Sequence, residues 1–161
     1  MANETAATLD STTTSAVTTA ASVTDGEVVG GQNEVDNSTL FYPMARCVIN
    51  VPDNFSTTPD GSIDFYIVEG EVDFNDGTPA DDGTALGYAA LTTADNITDP
   101  EYARYVGSLS PNVDEAYRDV LDIMIPGVRK FKLYIQNNTG ATLQYSSGSI
   151  TVDVTLASWG N

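Results

Sequence analysis

The sequence predicts an all-β fold: a β-sandwich (jelly-roll or Ig-like) of seven to eight short antiparallel strands with an extended N-terminal arm. Three observations predict it. From Leu40 onward, short runs alternate apolar and polar residues with the period of two that suits a half-buried strand. Turn-forming clusters separate these runs at short, even spacing, among them Pro59-Asp60-Gly61, Asp76-Gly77, Asp82-Gly83, Pro126-Gly127 and Asn137-Asn138-Thr139-Gly140. The composition also changes sharply near residue 40, since residues 1–39 contain no Lys, Arg, Phe, Tyr or Trp.

The arm comes first. Residues 1–39 are mostly Thr, Ala, Ser, Val, Gly and acids, too little apolar material to offset the entropy of ordering them alone. They are expected to take their shape from a neighbouring chain by adding strands to its sheet edge, with Val17, Val23, Val28 and Val29 as apolar anchors. The sandwich domain is expected over 40–161. Its strands begin with Met44–Val51, which carries Cys47, Ile49 and Val51 on one face. Ile63–Val68 follows, with Ile63, Phe65 and Ile67 together. Weaker runs occupy Ala85–Thr92, Arg104–Leu109 and Thr142–Ser146. Val120–Ile125 is apolar enough to be buried on both sides except at Asp122. Lys130–Gln136 places Phe131, Leu133 and Ile135 opposite Lys130, Lys132, Tyr134 and Gln136. Ile150–Leu156 is the clearest alternation, with Ile150, Val152, Val154 and Leu156 on one face. Asp99-Pro100-Glu101 has the capping pattern of a helical turn, and Asn112–Tyr117 is a second candidate.

The chain of 161 residues has 23 acidic and 6 basic side chains and no His, a formal charge of −17. Proton-relay triads and the common zinc, haem and non-haem iron sites lack their imidazole here, and the lone Cys47 cannot form an internal disulfide. Nucleic-acid phosphates would be repelled rather than bound. The chain is therefore read as non-enzymatic, with no cofactor. No stretch reaches the roughly 20 apolar residues of a helical membrane span, and MANETAATLD lacks the basic and apolar regions of a signal peptide. Synthesis in a cytoplasm is expected, so the five Asn-x-Ser/Thr sequons at Asn3, Asn37, Asn54, Asn96 and Asn137 would stay unmodified.

Four features compete for a functional role. The loop Asp73–Gly83 gathers carboxylates on tight turns, but Gly77 falls at its fifth position and Thr84 stands where an EF-hand has its bidentate Glu. Calcium binding and a solvated acidic loop both remain open there. Glu69 and Glu71 share a face if their segment is a strand. That spacing fits a charged edge strand better than a catalytic pair, which usually comes from separate elements. Arg129, Lys130, Phe131, Lys132 and Tyr134, with Tyr145 downstream, form the densest basic and aromatic cluster. Its lysines either pair with acids such as Asp119 or Asp153, or dock an acidic surface that includes the chain's own arm. Trp159 reads as a subunit contact or as a cap on the sandwich core, and exposed tyrosines could stack on sugar rings.

The order of P-D-G-S-I-D-F-Y-I-V, an acidic Asp/Gly loop, and I-P-G-V-R-K-F-K-L-Y-I-Q-N-N-T-G-A-T-L resembles small virion structural proteins of tailed bacteriophages, the capsid decoration (cement) type. Asp60, Gly61, Pro126, Phe131, Lys132, Asn137, Asn138, Thr139 and Gly140 carry the resemblance, which spans residues 59–156. It implies a non-enzymatic β-sandwich on the capsid surface of a virion, made in the host cytoplasm. Its implied partners are the major capsid protein and neighbouring copies in a homo-oligomer, with no nucleic acid and no membrane. A tail, neck or fibre-base component, or a carbohydrate-binding β-sandwich, is the alternative.

Overall fold

The computed structural model of the chain describes residues 7–19, 22–52, 61–70, 103–110, 117–144 and 148–159. Among them lie ten strand segments and no helix: β1 (Ala7–Thr18), β2 (Ser22–Val23), β3 (Val28–Asp36), β4 (Met44–Val51), β5 (Ser62–Gly70), β6 (Arg104–Leu109), β7 (Tyr117–Met124), β8 (Lys130–Asn138), β9 (Leu143–Gln144) and β10 (Thr151–Trp159). One four-stranded sheet runs β1-β10-β4-β7 and the other β3-β8-β5-β6, with β2 and β9 as a separate short pair. Every pairing is antiparallel. The strand expected at Ala85–Thr92 and the helical turn at Asp99-Pro100-Glu101 lie outside the described residues, as does all of Asn112–Tyr117 but Tyr117.

The two sheets face each other across one core. Ala45, Cys47, Ile49 and Val51 of β4 and Val152, Val154 and Leu156 of β10 point into it from one side. Ile63, Phe65 and Ile67 of β5 and Phe131, Leu133 and Ile135 of β8 meet them from the other. These are the inward positions that period-two alternation assigns, so the four inner strands fall where the sequence places them. β7 differs from expectation. Ile123 is buried, but Val120 and Met124 are each 50% exposed, so the strand is covered on one side only. β7 ends its sheet, and its outward positions face solvent despite their apolar character.

The described part of residues 1–39 pairs within the chain. β1 pairs with β10, β2 with β9 and β3 with β8, so residues 7–36 run antiparallel to residues 130–159 of the same chain. Backbone bonds bridge the pieces: Thr19 N–H donates to Ile150 O at 3.0 Å, and Gly26 N–H to Asn137 O at 2.7 Å. Ala16, Val17, Val23 and Val35 enter the common core. Among the described residues, strands on both sides of position 39 contribute to one core. The physical reason is that an edge strand needs little apolar bulk of its own, because backbone pairing and a few small inward residues seat it on a neighbour already rich in both. Bulges obscure its pattern as well. The register shifts between Leu9 and Thr13, between Ser15 and Val17, and between Gly30 and Glu34. At Gly30, with φ of +131°, a Cβ would lie 2.6 Å from Leu133 O, so β3 can approach β8 this closely only with glycine.

Counting only the eight strands of six or more residues, the first pairs with the last, the second with the seventh, the third with the sixth and the fourth with the fifth. The fold is therefore a nested ribbon folded over into two layers, and its outermost turn is the pairing of 7–36 with 130–159.

Candidate functional site

The nesting brings the β3–β4 and β7–β8 connections to one end of the sandwich, and Asn37 ties them together. This side chain is 2% exposed. Its Nδ2 donates to Tyr42 O at 2.8 Å and to Val128 O at 2.9 Å, while its Oδ1 accepts from Tyr42 N–H at 2.7 Å. Backbone bonds from Asn37 N–H to Arg129 O and from Ile125 N–H to Pro43 O complete the clamp. The clamped loop holds Leu40 and Phe41 outward, 65% and 47% exposed. Phe41 sits at φ of +50°, a conformation that costs a non-glycine residue about 1 kcal/mol or more. The Arg129 guanidinium lies 5.5 Å from the centre of the Phe41 ring, within reach of a cation–π contact. Beside this tip, Thr12 and Thr14 of β1, Val35 and Asp36 of β3, Leu40 and Leu156 line an open cleft of about 230 Å3. Burial opposes the charge on Asp36, but hydrogen bonds from Ser38 and the positive Lys130 outweigh it and hold its pKa below the ordinary value.

The expected site residues are not brought together. Val17 and Val23 are 0% and 1% exposed, inside the chain's own core, and so present no anchor to a partner in this state. Val29 packs at the rim of that core. Val28 packs with Tyr66, Val68 and Tyr134, a second small cluster on the outward face of β5 and β8. Lys130, Lys132 and Tyr134 share that outward face, as the alternation requires, whereas Arg129 precedes the strand and turns to Phe41. Lys130 is 8% exposed, with Nζ 2.7 Å from Glu34 Oε1. Its acid is thus neither Asp119 nor Asp153 but a residue of β3, from the segment read as an arm. Glu34 Oε2 is buried with no hydrogen-bond partner among the described residues, so removing Lys130 would strand a desolvated charge. Lys132 lies opposite Glu34 in the register and is also engaged. Tyr134 is 5% exposed, and burial raises its phenol pKa. Trp159 is the last residue of β10, opposite Ala7.

Of the remaining candidates, the Asp73–Gly83 loop, Glu71 and Tyr145 lie outside the described residues. Glu69 is exposed and accepts from Arg104 Nε and NH2 at 3.2 and 3.1 Å. Among the described residues no group of three or more His, Cys, Asp or Glu side chains could hold a metal ion, and no helix is long and apolar enough to cross a membrane. Sequence reasoning missed Asn37 and Asn137. Asn137 is 1% exposed and pins the opposite end of the ribbon by donating to Val23 O at 3.0 Å and Ala141 O at 2.8 Å. Each also opens an Asn-x-Ser/Thr sequon. The usable signal was an Asn at a strand end followed by Ser/Thr and turn residues, the setting in which a short amide replaces backbone partners.

Two local predictions arise here. Burial, reinforced by the negative Asp122, pushes the Cys47 thiol up to about 12. Cys47 is expected to ignore a disulfide reagent at pH 8 in the folded chain and to react stoichiometrically in urea. Stoichiometric reaction in the folded chain would contradict its burial. On the outer face of β4 and β7, Arg46 Nε and NH2 each donate to Asp122 at 2.7 Å, and this hydrogen bond holds the carboxyl below 3.8. A depressed folded pKa adds stability above the unfolded value, and that stability is lost as the pH falls from 3.8 through the folded value. Because both side chains are more than a third exposed, Asp122→Asn is expected to cost about 0.5 kcal/mol at neutral pH. The difference should vanish in strong acid, as read from urea melts across the pH range.

No family model matches the chain, and no curated protein is significantly similar to it.

Proposed function

We propose that the chain is a structural, non-enzymatic virion protein that decorates and stabilises a bacteriophage capsid, on the particle surface beside the major capsid protein and other copies of itself. Residues 1–39 are its neighbour-binding element. The observation that carries this reading is the strand order. With the eight long strands numbered in sequence, one sheet takes 1-8-3-6 and the other 2-7-4-5. We read this as a jelly roll; an Ig sandwich would group the first, second, fourth and fifth strands in one sheet. Jelly rolls recur in viral shell proteins and in lectins.

A fold shared by many functions leaves the role to the surface. Two surface features favour docking over catalysis. Phe41 and Arg129, residue types enriched in protein contacts, form with Leu40 a clamped, exposed tip. A charge of −17 keeps such a particle coat soluble. A sugar platform has less support, since Tyr66 and Tyr134 are 8% and 5% exposed and Tyr105 stands edge-on to Tyr66. The test is to purify particles with and without this chain, image them by electron microscopy and count copies. Density repeating over the whole shell is expected. Absence from the particles, or confinement to a tail or neck ring, would overturn the capsid assignment.

A further inference from the structure

We propose that the ribbon of residues 7–36 exchanges between copies of this chain: β1–β3 of one molecule dock on β8–β10 of a second in the register they hold at home. This deepens the neighbour-binding role of residues 1–39 just proposed, and it needs none of the capsid reading.

Four observations carry it. Among the described residues, every strand pairing of β1, β2 and β3 is to β8, β9 or β10, and β1 and β3 each end a sheet. The ribbon can therefore leave as a unit without breaking any pairing within the rest of the fold. The groove it leaves is specific. Lys130 waits for Glu34, Asn137 Nδ2 for Val23 O, Gly140 N–H for Asp25 Oδ1, and the β8 backbone leaves no room for a Cβ at position 30. An identical ribbon satisfies all of these, whereas an unrelated strand would leave the buried Lys130 and Asn137 short of partners. The apolar part of the ribbon is small. Its core residues are Ala16, Val17, Val23 and Val35, so the freed segment itself carries little apolar surface and stays soluble. Finally, residues 37–43 between ribbon and body make a tight reversal with Phe41 in the left-handed region, and strain of this kind in a hinge invites exchange.

The contacts are the same in both arrangements, so the balance rests on the hinge and on concentration. Opening the hinge relaxes Phe41 and sacrifices the bonds from Asn37 to Tyr42. Closing the ribbon within one chain has an effective concentration in the millimolar range, so exchange is expected only where copies are crowded.

The test uses the full chain. Thr13 and Thr155 are Cα partners across β1 and β10, with their Oγ1 atoms 3.0 Å apart, close enough for a disulfide. Thr13→Cys and Thr155→Cys are made as separate variants, concentrated together just below the melting temperature and oxidised. Buried Cys47 does not compete. A covalent heterodimer between the two variants, rising with concentration above the homodimer background of either alone, is expected on a non-reducing gel. A mixture no different from that background would overturn the proposal. A second variant, lacking Thr39 and Leu40, leaves the hinge too short to reverse within one chain. Light scattering should give a dimer, and a folded monomer would overturn the proposal. Exchange in the isolated chain with no attachment to particles would retire the capsid reading alone, and particle binding without exchange would retire this inference alone.

Discussion

Deleting residues 1–36 is expected to abolish the cooperative thermal transition of the chain. The deletion takes Val17, Val23 and Val35 from the core, and at about 1.5–3 kcal/mol for each buried valine this approaches the whole stability of a typical domain. It also bares one edge of β10 and of β8, strips Lys130 of Glu34 and leaves the Asn137 amide without Val23 O. Circular dichroism melts and binding of a hydrophobic dye read the outcome. A synthetic peptide spanning 7–36, added in trans, should restore a sharp transition. A truncated chain that melts as sharply, and as high, as the intact one would return these residues to the status of a dispensable arm.

Phe65→Ala is expected to destabilise the fold by about 3–5 kcal/mol, the usual loss when a fully buried aromatic ring is cut back inside a packed core. Phe65 is 0% exposed in the middle of β5, paired with Ile135 on one side and Gly107 on the other. Its ring is among the largest buried groups between the two sheets, so little around it can collapse into the space. Urea denaturation should show the midpoint fall with the slope unchanged. Val120→Ala on β7, half exposed, is the matched control and should move stability by no more than about 0.5 kcal/mol. Equal effects at the two positions would mean that the core does not lie between these sheets.

β4, β5, β8 and β10 were legible in the sequence because each is covered on its inward face by several large apolar residues at every second position. β1–β3 were not legible. The buried core residues described in them are small, Ala16, Val17, Val23 and Val35, and bulges at Ser15–Val17 and Gly30–Glu34 break the period of two that would reveal them. Composition predicts that residues 1–39 cannot fold alone, and in the structure the strands among residues 7–36 pair with the other end of the same chain. The basic cluster was visible in sequence, its division was not. Whether Lys130 meets Asp153 or Glu34 depends on which strand lies beside β8, and that follows from topology rather than from spacing. The Leu40–Phe41 tip left no periodic trace because it lies in a connection, where exposure is decided by the Asn37 clamp.

The nested pairing has a consequence for synthesis. Residue 7 leaves the ribosome before residue 159, the partner of its own strand, and at roughly 5–20 residues per second the delay is on the order of ten seconds. Throughout that wait residues 7–36 are without the strands they pair with in the folded chain. A greasy or aromatic leader would clump during translation, whereas threonine, serine and carboxylates keep the waiting polypeptide wetted. The bland composition of the first three dozen residues is what a segment made early and needed late requires.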